Sequence, residues 1–435
     1  MMLRLAAALI LFALPLRAEV EIKEVTSPGG ITAWLVEEHE LPFTALEIRF
    51  KGGTSVDQPG KRGAVNLMTG LIEEGAGDLD AQGFATARDD LAATFSFRAN
   101  TDAVGVSARF LSENRDQAVA LLRSALVEPR FDADALERVR GQVLSGLASD
   151  AKDPNALAGR AFDAAAFGDH PYGTPGDGTV ESVTALTRDD IVAAHKGALA
   201  RDRIYVSAVG DITAEDLGAL LDRLLGDLPA TGAEMPGQAE YRLDGGVTVV
   251  EFPTPQAVIA FGHEGITRDD PDFFAAYILN EVLGGGRFGA RLMTEVREKR
   301  GLTYGIGTYL VPMDHAELYM GRFASGNAVV GQAIDIVKAE WAKAATEGIT
   351  AEELAATKTY LTGSYPLRFD GNGPIADILV GMQMEDLPID YPVTRNAKIE
   401  AVTLEDIKRV AARVLKPEAL HFVVVGQPEG IASDG

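Results

Sequence analysis

The sequence predicts an α+β protein of two homologous domains, each an antiparallel-rich sheet covered by helices, joined by a linker. Three observations carry that prediction. A helix–strand segment occurs twice, a loop–helix segment occurs twice, and strand-like runs come in adjacent pairs.

The helix–strand repeat reads T-x-x-D-I, at Thr187–Ile191 and again at Thr403–Ile407. Each threonine suits an N-cap, with acids in the first helical turn. Each predicted helix leads to a β-branched run ending in Val-Gly, Ile204 to Gly210 and Phe422 to Gly426, and the Ile-to-Gly spacing is the same in both. The loop–helix repeat sets Gly53, Asp57 and Pro59 against Gly265, Asp269 and Pro271. The helix after the first set is predicted from Ala64 to Glu74, with Ala64, Met68, Leu71 and Ile72 on one face and Gly75 as the stop. The second is predicted from Pro271 to Leu283, stopped by Gly284, Gly285 and Gly286. Long amphipathic helices are predicted at 132–147 and 155–167 in the first half and at 328–347 and 351–362 in the second. Adjacent runs such as Thr94 to Asn100 and Ala103 to Phe110 read as antiparallel hairpins. Residues 228–245, rich in proline and glycine and without periodicity, read as the linker. The predicted domains are then 19–227 and 246–435.

Residues 1–18 read as a secretory signal. Arg4 supplies a basic start, Leu5 to Leu16 an apolar stretch too short to span a bilayer, and Ala18 a small residue before the cut. No later segment is long and apolar enough to cross a membrane, so the expectation is a soluble periplasmic protein. Cysteine is absent, which excludes a disulfide framework, a thiolate metal site and a cysteine nucleophile. The formal net charge of −24 repels phosphate backbones and argues against nucleic-acid binding.

Several segments together resemble the insulinase/pitrilysin zinc peptidases, in particular the branch that includes the mitochondrial processing peptidase. They are Gly168-Asp169-His170-Pro171-Tyr172-Gly173, the two T-x-x-D-I segments, Glu347 to Leu354, and the stretch Leu283 to Tyr304 with its GGG, RL and EVREKRG. The resemblance runs across almost the whole mature chain. It implies two α+β domains per chain, four such domains in two chains around a chamber, and an extended peptide added to a sheet edge.

Active members carry H-x-x-E-H on the first helix of the first half, which sets two histidines at i and i+4 to reach one zinc ion. The matching positions here begin at Asn66 and end with Thr69 and Gly70, and the distal ligand position falls at about Gly146. An amide, a hydroxyl and two glycines offer no strong zinc ligand. Of the six histidines, His39, His170, His195, His263, His315 and His421, no two lie within five residues of each other. The chain is expected to bind no metal.

What the resemblance implies is kept lies in the second half. Arg297 and Tyr304 fit the family's Arg/Tyr pair, which donates hydrogen bonds to a substrate carbonyl or oxyanion. Gly284, Gly285 and Gly286 resemble a glycine-rich substrate loop, although a helix-ending turn explains them equally. The expectation is a non-zinc-binding subunit that supplies Arg297 and Tyr304 to a zinc ion held by a homologous H-x-x-E-H chain acting on peptides. The alternative is an inert peptide-binding or structural protein of the same fold. Substrate, cleavage preference and partner identity are not legible.

Overall fold

A computed structural model describes residues 21–433. The signal reading of residues 1–18 therefore lies outside the described residues.

In chain order the first half comprises β1 (Lys23–Thr26), β2 (Thr32–Glu37), β3 (Phe43–Lys51), α1 (Ala64–Leu71), β4 (Gly75–Ala76), β5 (Leu79–Asp80), α2 (Ala81–Asp90), β6 (Thr94–Ala99) and β7 (Ala103–Leu111). It continues with α3 (Arg115–Val127), α4 (Ala133–Asp150), α5 (Pro154–Phe167), α6 (Val180–Ala185), α7 (Arg188–Ala198), β8 (Ile204–Gly210) and α8 (Ala214–Leu225). The second half comprises β9 (Gly246–Glu251), β10 (Gln256–Glu264), α9 (Phe273–Leu283), β11 (Thr303–Pro312), β12 (Glu317–Gly326) and α10 (Val330–Glu347). It ends with α11 (Ala351–Ser364), α12 (Asn372–Met384), α13 (Tyr391–Ala401), α14 (Leu404–Val414) and β13 (His421–Gly426).

The first sheet has the order β1-β2-β8-β3-β7-β6 and the second β11-β12-β10-β13-β9. Read from the β6 edge and the β11 edge, the two share one topology. A hairpin (β6–β7, β11–β12) joins a central strand (β3, β10), which pairs antiparallel with a late strand (β8, β13). That late strand pairs parallel with an early one (β2, β9). Each sheet is thus antiparallel-rich, as predicted, with a single parallel pair that the sequence did not reveal. Alternation of apolar residues does not encode strand direction, and β8 and β13 reach their partners only after a long crossover of helices.

The repeated threonines do what their sequence predicts. Thr187 and Thr403 each accept from the backbone N–H three residues on, while the side chains of Asp190 and Asp406 accept from the threonine N–H, so both helices begin with a capping box. The first repeated helix is shorter than predicted: α1 ends at Leu71, not Glu74. Its start is held by Asp57, whose carboxylate accepts from Gly63 N and Val65 N at 2.8 Å each.

Each half has its own core on the helix-covered side of its sheet. The other side of each sheet is covered by a helix from the opposite half. Helix α5 of the first half lays Ala158, Phe162 and Ala166 on β10 and β13 of the second. Helix α12 of the second half lays Ile375, Ala376 and Leu379 on β3 and β8 of the first. Polar contacts reinforce this exchange. Ser207 Oγ donates to Ala376 O at 2.6 Å, Gln383 Nε2 donates to Val206 O at 2.8 Å, and Arg49 pairs with Asp377 at 2.7 Å.

The segment between the halves is strapped down along its length. Ala233 N donates to Gly197 O, Ala239 N to His315 O, Arg242 N to Ala166 O and Gly245 N to Ala419 O. The Gly168–Gly173 segment works as a buckle beside it. Gly168 has φ +56°, and a Cβ there would collide with the Arg242 guanidinium. His170 donates from Nε2 to Gly237 O at 3.0 Å and accepts at Nδ1 from Tyr172 N. The Tyr172 hydroxyl donates to Asp102 at 2.5 Å and accepts from His315 N at 3.0 Å, which ties the two halves together.

Candidate functional site

The first crevice lies where α1 packs on α4. Asn66 and Gly70 share one face of α1, half-buried and exposed respectively. Thr69 is buried and turns its hydroxyl back to Asn66 O at 2.8 Å. Gly70 marks the helix crossing, because a Cβ there would sit 2.9 Å from Val139 Cγ1. Gly146 lies two turns further along the same face of α4, exposed, with open space where a Cβ would be. These four residues do not fit a zinc ion. One hydroxyl is spent on its own helix, one amide is neutral, and two positions have no side chain. Among the described residues no group of three or more His, Asp or Glu side chains is gathered closely enough to hold a metal ion.

The buried histidines are committed to the fold. His195 donates from Nε2 to Leu126 O at 2.9 Å, and burial lowers its pKa. His263 donates from Nδ1 to Glu264 O at 2.7 Å and accepts at Nε2 from Trp341 Nε1 at 3.0 Å. Burial lowers its pKa to about 4, so it stays neutral. His421 bonds Thr248 Oγ1 and Gly245 O.

In the second half, Arg297 sits in a π-helical turn, Met293–Glu298, rather than at the end of an α-helix. The turn is closed by Leu302 N donating to Val296 O and Gly301 N donating to Arg297 O. Gly301 takes φ +64°, which favours glycine, and sends the chain into β11. The pairing of β11 with β12 shifts register between Thr303 and Ile306. Thr303 Oγ1 stabilises the bulge, donating to Gly305 O and accepting from Gly305 N. A bulge re-aims side chains, and here it turns Tyr304 outward to 90% exposure, with no side-chain partner. The Arg297 guanidinium lies 4.8 Å over the Phe288 ring, itself 66% exposed, and has no carboxylate partner. No hydrogen bond joins the half-buried Arg297 to the exposed Tyr304.

Gly284, Gly285 and Gly286 follow α9 directly. None has a positive φ, so backbone freedom is not the reason for glycine here. Close approach is. A Cβ on Gly284 would lie 2.3 Å from Thr308 Oγ1, and one on Gly285 would lie 2.7 Å from Glu281 Cα. Gly284 and Gly285 both donate to Asn280 O, which ends the helix, and Gly284 O accepts from Thr308 N at 2.7 Å. The run is therefore stitched to the β11 edge. Gly286 alone has open space around it.

Sequence reasoning missed a second crevice. Between α9, β11 and α13 lies a cavity of about 600 Å³, lined by Arg268, Arg368 and Arg395 together with Tyr277, Glu281 and Tyr391. These arginines come from a loop, a short turn after α11 and a helix, spread over more than a hundred residues. No local spacing reveals them.

The sequence pattern described as Peptidase M16 inactive domain matches residues 185–361 of this chain. The chain is 26% identical over 390 residues to a protein of Helicobacter pylori named non-peptidase homolog YmxG, covering 89% of this chain and 90% of that one. It is 26% identical over 408 residues to an uncharacterized zinc protease of Streptomyces coelicolor, covering 91% and 87%. Among solved structures, a peptidase M16 inactive domain from Pseudomonas fluorescens superposes with a TM-score of 0.88 at 29% identity, covering 95% of this chain and 99% of that one. A protease from Helicobacter pylori superposes with a TM-score of 0.84 at 16% identity, a likeness of fold.

Proposed function

We propose, from the premise that this chain belongs to the M16 (insulinase/pitrilysin) peptidase family, that it is the non-zinc-binding subunit of a two-chain peptidase. Its own first crevice lacks metal ligands. Its contribution is Arg297 and Tyr304, offered to the carbonyl oxygen of a peptide that a homologous H-x-x-E-H chain holds at its zinc. Gly284, Gly285 and Gly286 lie beside the strand along which that peptide would run. The two domains of the reading are 19–227 and 246–435, with 228–245 between them. Residues 1–18 export the chain to the periplasm, where its partner must also be. No helix among the described residues is long and apolar enough to cross a membrane.

The observation that carries the reading is Tyr304. A tyrosine kept for packing is buried, whereas this one stands at 90% exposure on a bulged edge strand with its hydroxyl free. Two strong donors left without partners are the expected state of a half-site completed by another molecule.

The test is reconstitution with an exported H-x-x-E-H homologue and an unfolded peptide. Cleavage should require both chains, and Tyr304→Phe should lower it by roughly 10²–10³-fold, the usual cost of losing one such donor. Zinc in the isolated chain should fall below one equivalent. A homologue fully active alone, with Tyr304→Phe making no difference, would leave an inert peptide-binding or assembly protein instead.

A further inference from the structure

The second half holds a cationic crevice beside α9, the helix that corresponds to α1. Strand β11 corresponds to β6, and a gap opens beside α9. In the second half the gap is a cavity of about 600 Å³ that adjoins another of about 690 Å³. Arg268, Arg368 and Arg395 line both.

In a chain with 64 acidic and 40 basic residues, most arginines find carboxylates. These three do not. Arg268 donates from Nη2 to the Tyr391 hydroxyl at 2.8 Å and lies 4.1 Å over the Phe273 ring. Arg395 is 6% exposed, donates to Leu361 O and Asn396 Oδ1, and stacks 4.3 Å over Tyr365. Arg368 is exposed and makes no side-chain hydrogen bond or ion pair. A guanidinium held nearly out of water without a counter-charge is costly, and an anion arriving there relieves that cost. The one carboxylate on the wall of the first cavity is Glu281, which burial itself pushes towards neutrality against the pull of Arg287 and Arg395. Glu385, similarly raised by burial, lines the second cavity and is opposed by Arg268; Asp102, Asp314 and Asp377 line it too, held by the Tyr172 hydroxyl, Lys51 and Arg49 respectively.

The crevice also has a peptide's shape. It runs beside β11, an edge strand, and its aromatic rings suit the stems of side chains. Thr308 already directs its N–H to Gly284 O on the outer side of β11, so by alternation Leu310 turns its backbone groups the same way.

We propose that this crevice binds the carboxylate of an extended acidic peptide, its guanidiniums forking onto the oxygens while the backbone lies along β11. The proposal rests on the reading that this chain handles peptides, and it names their chemistry.

The test uses the full chain alone, with no partner and no cleavage, and reads fluorescence anisotropy of labelled peptides. The first probe is a short extended peptide with alternating glutamates and an amidated C-terminus. The second replaces each glutamate by glutamine. The third is the glutamine peptide with a free C-terminal carboxylate. The acidic peptide should bind roughly tenfold or more tightly than the amidated glutamine peptide, and the gap should shrink in high salt. Arg368→Glu, at an exposed position that the fold does not need, should remove that preference. Strong binding of the third probe instead assigns the site to a terminal carboxylate and upholds the proposal. Equal affinities for all three probes, no binding by any, or a preference indifferent to Arg368→Glu would overturn it. Any of these leaves the two-chain reading standing, because that is judged by cleavage with the homologue.

Discussion

The two halves share a strand order but differ beside the corresponding helices α1 and α9. In the first, α1 and α4 meet across Gly70 and Val139, and the positions that face outward carry an amide and two glycines. In the second, the gap beside α9 is wide, aromatic and lined with unpaired arginines, and the adjoining strand carries the exposed Tyr304. A duplicated fold therefore supplies two similar frames whose side chains differ: one carries an amide and two glycines, and the other a set of arginines without carboxylate partners among the described residues. The comparison teaches that the chemistry is decided by which groups are left without partners, since the backbone frames are alike.

The exchange of α5 and α12 predicts that the halves are not independent, and this is where the comparison breaks most easily. Phe162 on α5 and Leu379 on α12 are both fully buried. Phe162→Ala should cost about 3–5 kcal/mol and Leu379→Ala about 2–5 kcal/mol. Hydrogen exchange should place the lost protection in the half opposite each substitution, in β10 and β13 for Phe162 and in β3 and β8 for Leu379. Loss confined to the half that carries the changed helix would contradict the exchange.

Tyr304→Phe should separate function from stability. The side chain is 90% exposed and its hydroxyl has no hydrogen-bond partner among the described residues, so the melting temperature should not move, while partner-dependent cleavage falls by the roughly 10²–10³-fold given above. A drop in stability would mean that the residue belongs to the fold.

Acid should expose a difference between the cores. His263 has its folded pKa lowered by burial to about 4, from 6.5. The unfolded chain therefore binds the extra proton first as pH falls. The stabilisation is complete above about pH 6.5 and is lost on descent towards pH 4, on the order of 3 kcal/mol in all. Denaturant midpoints should fall with acid more steeply in the wild type than in His263→Gln between about pH 6.5 and 5. Identical slopes would show that burial does not hold the histidine neutral.

The smallest effect should be the most symmetric. Thr187 and Thr403 head matching capping boxes, so Thr187→Ala and Thr403→Ala should each cost about 1 kcal/mol. A clear inequality would show that the repeat matches in sequence more closely than in energetics.

Local signals were legible. Capping threonines, β-branched runs and glycine stops lie within a few residues of what they control, and so the repeated helix–strand units could be read directly. The absence of H-x-x-E-H was equally local, because i and i+4 spacing on a helix either carries histidines or does not. Arg297 and Tyr304 could be singled out only through a resemblance, since the bulge that turns Tyr304 outward depends on how β11 pairs with β12. Gly284 could be seen but not explained: its cause is Thr308, on a strand more than twenty residues away.

By itself, the sequence determined the repeated elements, the missing ligands and the acidic balance, because each depends on residue type and short-range spacing. Tertiary structure alone decided the parallel pairings, the exchange of α5 and α12 between halves, and the meeting of Arg268, Arg368 and Arg395. Those depend on which surfaces find each other in space, and burial rewards that meeting without leaving a period or a motif in the chain.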